Sequence, residues 1–134
     1  MYRKAVIRPY RAEDEGVLFG LARIERGADE HTLAVLERET VFVAEIEGSY
    51  AGYAALVVEQ AAARVDQLFV SAEHVEEGVG RQLLEYVEGF AISRGAVVLR
   101  VVVEPENASA AAFYRSRGFI PTGDDVLELV LPRS

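Results

Sequence analysis

The chain has no cysteine and only two histidines among its 134 residues. Without cysteine there is no disulfide framework, no thiolate zinc site and no cysteine acyl-enzyme, so any acyl transfer here is direct or uses another nucleophile. The two histidines, His31 and His74, do not stand at ligand spacing from one another, and no metal is expected. Positive charge is also scarce, with 14 Lys and Arg against 22 Asp and Glu and a net charge of −8. Nucleic acids and anionic membranes require a basic footprint, so neither is an expected partner, and cationic amines are favoured instead. The apolar runs are far too short to cross a bilayer, and the opening MYRKAVIRPYR has no apolar signal core, which points to a cytoplasmic protein. Repeats, low-complexity tracts and linkers are lacking too. The length then suits a single domain over residues 1–134 with a sizeable core and no separate substrate domain.

What is present is concentrated between Val65 and Phe119. The string DQLFVSAEHVEEGVGRQLL places Gly78 and Gly80 just after a predicted strand, at the mouth of a helix whose apolar residues Val79, Leu83, Leu84, Val87 and Ala91 share one face. Two readings stand side by side. The glycines serve only the turn, or they open an anion site where a helix's first N–H groups and the positive end of its dipole meet a phosphate. The dinucleotide fingerprint wants a third glycine where Leu83 sits. The mononucleotide loop wants Lys-Ser/Thr where Arg81 and Gln82 stand, so both familiar nucleotide motifs fail. Downstream come strand-like VVLRVVV (Val97 to Val103), the loop EPEN, and Asn107, Ala110, Tyr114, Gly118 and Phe119 at fixed offsets.

Together these residues resemble the GNAT superfamily of acetyl-CoA-dependent N-acetyltransferases. That family carries (Gln/Arg)-x-x-Gly-x-(Gly/Ala) and, later, Asn-x-x-Ala-x-x-x-Tyr-x-x-x-Gly-Phe. The second pattern matches at every defined position. The first matches at Gly78 and Gly80 but has Val75 in place of Gln or Arg. The resemblance implies a single α/β domain, a mixed twisted sheet flanked by helices, whose parallel strands four and five splay apart to admit the pantetheine arm of acetyl-CoA. By that mapping Leu68, Phe69 and Val70 offer backbone groups to the pantetheine and acetyl carbonyl, and Gly78, Val79, Gly80 and Arg81 offer amides to the pyrophosphate.

Taken in order, Ala5 to Pro9 reads as the first strand. A helix beginning near Asp14 follows, carrying Val17, Leu18, Leu21 and Ile24, and then a second short helix with Leu33, Val35 and Leu36. By resemblance their connection, Arg26 to His31, forms one wall of the acceptor pocket. VFVAEIEG and YAGYAALVVE are predicted strands around Glu47-Gly48-Ser49. Strands four (Arg64 to Val70) and five (Val97 to Val103) should run parallel, since an amphipathic helix connects them and Gly95 suits its C′ position. Phe119 to Thr122 and Val126 to Leu131 supply the last two strands.

Asn107 reads either as the N-cap of the next helix or as the family's contact to the cofactor arm. Tyr114 reads as a core ring or as a phenol that protonates the departing thiolate, a general acid's task. For the base that deprotonates the acceptor ammonium the candidates are Asp66, Glu104 and Glu59, each equally readable as a solvated strand-end carboxylate, and His31. The implied reaction moves an acetyl group from acetyl-CoA to a primary amine, on a small molecule or a peptide, by direct attack in a ternary complex. Val75 and the lack of an obvious base keep open a GNAT-fold module that only binds an acyl-CoA or a partner; the oligomeric state stays open between monomer and homodimer. Glu73, Glu76 and Glu77 crowd the expected diphosphate site. At about 8 Å in water, Glu76 and Glu77 against a double negative charge would cost on the order of 2 kcal/mol before screening.

Overall fold

The computed structural model describes residues 3–132. The chain forms a single α/β domain with a seven-stranded mixed sheet in the order β1-β2-β3-β4-β5-β7-β6. Its strands are β1 Val6–Pro9, β2 Thr40–Ile46, β3 Ser49–Glu59, β4 Ala62–Val70, β5 Val98–Val102, β6 Ile120–Gly123 and β7 Val126–Val130. The helices are α1 Glu15–Arg26, α2 Glu30–Arg38, α3 Val79–Ser93 and α4 Ala108–Ser116, with single 3-10 turns at Ala12–Asp14 and Ala72–His74. The contacts cluster into two compact units. One comprises the chain up to Leu56 with Gln67–Val87, and the other Val57–Asp66 with the chain from Glu88 onward.

In the first unit β1, β2 and β3 form an antiparallel ladder with a bulge at Ala44/Glu45. α1 and α2 close on it through Leu18, Ala22, Val35 and Leu36, which pack with Val41, Val43, Tyr53, Ala55 and Phe69 in one core cluster. The helices end where the backbone demands it: Gly27 closes α1 in the left-handed conformation, and Asp29 caps α2 by accepting from the His31 and Thr32 amides. At the entry to α1, Asp14 is fully buried yet saturated with donors. It takes two bonds of 2.8 Å from the Arg8 guanidinium, one from the Arg11 amide and one from the Tyr50 hydroxyl.

In the second unit β4 and β5 pair in parallel from Ala62↔Val98 to Val65↔Val101, and β7 joins β5 antiparallel. β4 runs on to Val70, five residues beyond the last of these pairs. α4 shows why the run from Asn107 to Phe119 has its spacing. Asn107 is the N-cap, its side-chain oxygen accepting from the Ala110 amide at 3.2 Å. At the other end Gly118 is left-handed (φ 98°), and the Phe119 amide reaches back to the Tyr114 carbonyl at 3.1 Å while the Gly118 amide bonds the Arg115 carbonyl. This is a glycine-closed helix end whose usual apolar contact, from the residue after Gly to the one a turn before it, is Phe119 on Tyr114 at 5.3 Å between ring centroids.

The apolar face predicted for α3 is the buried one, with Val79, Leu83, Leu84, Val87 and Ala91 all enclosed. Gly95 follows that helix in the left-handed conformation, as its C′ position requires.

Candidate functional site

The turn before α3 is held by several bonds from distant residues. After β4 the chain makes the 3-10 turn Ala72–His74, then Glu76 and Gly78 both adopt positive φ, 74° and 80°. For glycine this costs little, but Glu76 holds a conformation that L side chains avoid. The Gly78 carbonyl is the first helical acceptor, taking the Gln82 amide at 3.1 Å. The N–H groups of Val79 and Gly80 precede that first bond, at the open end of the helix. With Gly78 and Arg81 these are the residues expected to meet a pyrophosphate, and Gly78 turns the chain into the helix.

Arg3, His74 and Gln82, to which the sequence assigned no part in the site, hold this turn in place together with Glu77. Gln82 is buried on the inner face of α3, its amide nitrogen donating to the Arg3 and Gly78 carbonyls and its oxygen accepting from the Ala5 amide. Glu77 takes His74 Nδ1 at 2.5 Å on one carboxylate oxygen and the Arg3 guanidinium at 3.2 Å on the other. The hydrogen bond from His74, then that from Arg3, holds the Glu77 carboxyl below its ordinary range. Of the three crowding glutamates, Glu77 is thus neutralised by its neighbours. Gln82 had a legible signal, since it falls three residues after Val79 on the apolar face. Arg3 and His74 had none.

At the end of β4, Phe69 is buried against Tyr53, with ring centroids 5.5 Å apart, and the Arg26 guanidinium lies over its face at 5.4 Å. β3 approaches so closely that a Cβ on Gly52 would come within 2.2 Å of the Phe69 carbonyl oxygen. The Ser71 amide donates to the Ala51 carbonyl at 2.8 Å. In a trans peptide the C=O of one residue opposes the N–H of the next. Since the Phe69 carbonyl and the Ser71 amide both face β3, the N–H and C=O of Val70 both turn away from it. Among the three predicted backbone contributors, Val70 has its polar groups on the strand's other edge, whereas the Phe69 carbonyl is spent against β3. Glu25, on the last turn of α1, accepts from the Ala72 amide at 2.7 Å and ties that helix to the end of β4.

In the second unit Asn107 and Tyr114 sit on α4, Asn107 exposed at its start and Tyr114 buried between Phe113 and Phe119. Asp66 is held in a two-point ion pair by Arg64, at 2.5 and 3.1 Å, and Arg64 also reaches Glu59 at 3.5 Å. Glu104, just past β5, is different: its hydrogen bond and like-charge contact with Glu106 lift its carboxyl above the usual range, with a smaller push from Asp125. His31 is exposed on the first turn of α2.

The chain is an α/β domain with the parallel pair β4 and β5 inside its sheet and a left-handed glycine turn opening the helix that follows the fourth strand. Residues 37–121 match the sequence model of the acetyltransferase (GNAT) domain, and the chain belongs to that family. A search of curated protein sequences finds no match. Solved structures share its fold. A GCN5-related N-acetyltransferase from Rhodopseudomonas palustris is 23% identical with a TM-score of 0.82, the match covering 98% of each chain. The ribosomal-protein-S18-alanine N-acetyltransferase from Escherichia coli is 24% identical with a TM-score of 0.82, covering 98% of this chain and 95% of that one. The PaiA N-acetyltransferase from Thermoplasma acidophilum, solved in complex with coenzyme A, is 19% identical with a TM-score of 0.78, covering 96% of this chain and 99% of that one.

Proposed function

We propose that this chain transfers an acetyl group from acetyl-CoA to a primary amine. The observation that carries the reading is the start of α3, where the family's two glycine positions coincide with a left-handed turn residue, Gly78, and with the first-turn amides of Val79 and Gly80, which precede the first helical bond. Those amides, at the positive end of the helix dipole, suit the diphosphate of a coenzyme A. The outward N–H of Val70 suits an acetyl carbonyl and the charge that develops on its oxygen when the amine attacks. The PaiA neighbour, by its title, holds coenzyme A on the same fold, and the Escherichia coli neighbour, by its name, acetylates a peptide alanine.

In this reaction the neutral amine nitrogen forms a bond to the thioester carbon, the C–S bond breaks, and coenzyme A leaves as a thiolate. Tyr114 is assigned as the proton donor to that thiolate, since a phenol stays protonated at neutral pH. For the proton released by the acceptor ammonium we favour Glu104 over Asp66. A carboxyl raised by its neighbour accepts a proton closer to neutrality, and Asp66 already has Arg64 as its partner. Acceptor choice is assigned to the connection between α1 and α2, where Arg26 and Asp29 flank Gly27.

The reading is tested by calorimetry with acetyl-CoA, ATP and NAD, followed by a screen of small-molecule and peptide amines for released CoA thiol. Acetyl-CoA is expected to bind more tightly than the other two, and at least one amine to release thiol. Binding without turnover on any amine would instead favour an acyl-CoA-binding module, and no binding of acetyl-CoA at millimolar concentration would sink both.

A further inference from the structure

We propose that Glu77, which by charge alone should repel a diphosphate, is the residue that positions the diphosphate-binding turn, acting with Arg3, His74 and Gln82. The proposal rests on reading the start of α3 as the acetyl-CoA diphosphate site. Every polar group of Glu77 is engaged within the first unit. Its amide donates to the His74 carbonyl at 3.3 Å and its carbonyl accepts from the Arg3 amide at 2.9 Å. Its two carboxylate oxygens take His74 Nδ1 and the Arg3 guanidinium.

Glu77 sits between the two left-handed residues, Glu76 and Gly78. A non-glycine residue at positive φ persists only where its surroundings over-determine it, and such strain collects at sites that need a fixed geometry. Glu77 supplies that over-determination on one side. Gln82 supplies it on the other, gripping the Gly78 carbonyl together with the Arg3 carbonyl and the Ala5 amide. Arg3 is therefore the hub: its amide, carbonyl and guanidinium all bond the turn or the helix that follows it.

His74 adds direction. It is buried, and its Nε2 has no hydrogen-bond partner. A proton on Nε2 would leave a buried donor unmet, so the arrangement suits the tautomer with its proton on Nδ1, donating to Glu77. The carboxylate is thus drawn toward the imidazole and the guanidinium. The α3 amides that follow are left as the positive feature of the turn.

The sign of one substitution decides the matter. Glu77→Gln removes a negative charge, and simple repulsion predicts tighter acetyl-CoA binding; positioning predicts weaker binding, by about tenfold for the loss of charge-assisted bonds. Calorimetry on the full chain with acetyl-CoA reads the sign. The ratio of kcat/KM for acetyl-CoA to that for S-acetylpantetheine, which lacks the diphosphate, is expected to fall by the same factor, since only the longer cosubstrate uses the turn. Arg3→Met, a change at a partly exposed side chain, should shift both quantities in the same direction. His74→Asn keeps a donor near the Nδ1 position and should stay within about twofold of the parent. Unchanged or tighter binding in Glu77→Gln would overturn the proposal, as would an equal loss with both cosubstrates, which marks a general loss of structure. A parent protein that binds no acetyl-CoA would refute the underlying reading instead.

Discussion

Asp14 shows how the cost of burying a charge in a small core is offset when every lone pair is met. The Arg8 guanidinium, then the Arg11 amide and the Tyr50 hydroxyl, outweigh burial and hold its carboxyl well below the usual carboxylate range. A folded-state pKa below the unfolded one contributes stability that is present above the unfolded value, near 4, and is lost as pH falls toward the folded value. Asp14→Asn should therefore cost about 3 kcal/mol at neutral pH, less than the full penalty of a broken buried pair because Arg8 keeps Glu45. It should also flatten the stability profile below about pH 5, which denaturant titrations at several pH values would measure. An unchanged slope would mean that another carboxylate controls acid unfolding. Tyr114 belongs to the same scale. Its ring packs against Phe113 and Phe119, so the role proposed for it rests on the hydroxyl alone. Tyr114→Phe preserves both ring contacts. It should lower kcat by about a hundredfold at nearly constant acetyl-CoA affinity. A parent-like rate where chemistry limits turnover would leave Tyr114 a packing residue.

Among the elements, α4 and α3 use their ends differently. In α4 the family's spacing is accounted for by capping: Asn107 opens the helix, Gly118 ends it and Phe119 folds back onto Tyr114. A motif that reads as chemistry in the sequence is in the first instance a rule for making a short, rigidly ended helix. α3 instead spends the Gln82 side chain on fixing the turn before it. Glu76 stands in the same turn, at positive φ. Replacing it by Gln removes like charge near the diphosphate site and should tighten acetyl-CoA binding by about threefold at low ionic strength, the gain shrinking as salt shortens the Debye length. Calorimetry at two salt concentrations checks this, and a gain independent of salt would mean that relief of the strained turn, not charge, was responsible.

At the scale of the whole molecule, an excess of eight negative charges would meet, in the proposed reaction, a cosubstrate that is itself an anion. Binding by fixed amides and a helix end suits this case, because backbone dipoles act at contact distance and do not require a basic surface. The same excess favours the approach of a cationic acceptor, whose charge is attracted at longer range. No helix among the described residues is long and apolar enough to cross a membrane.

The fold was legible in the chain itself wherever a local rule decides. The period of Val79, Leu83, Leu84, Val87 and Ala91 specifies a helix and its buried face, and Gly95 and Gly118 end helices because only glycine takes positive φ cheaply. A helix between two predicted strands sufficed to make β4 and β5 parallel. Tertiary structure decided what depends on residues distant in sequence. Glu77 read as a repulsive charge until folding set it against Arg3, 74 positions away. Gly52 carried no signal, yet only there can β3 approach the Phe69 carbonyl. Periodicity and capping are written in neighbouring residues, whereas the partner of a charge is chosen by the fold.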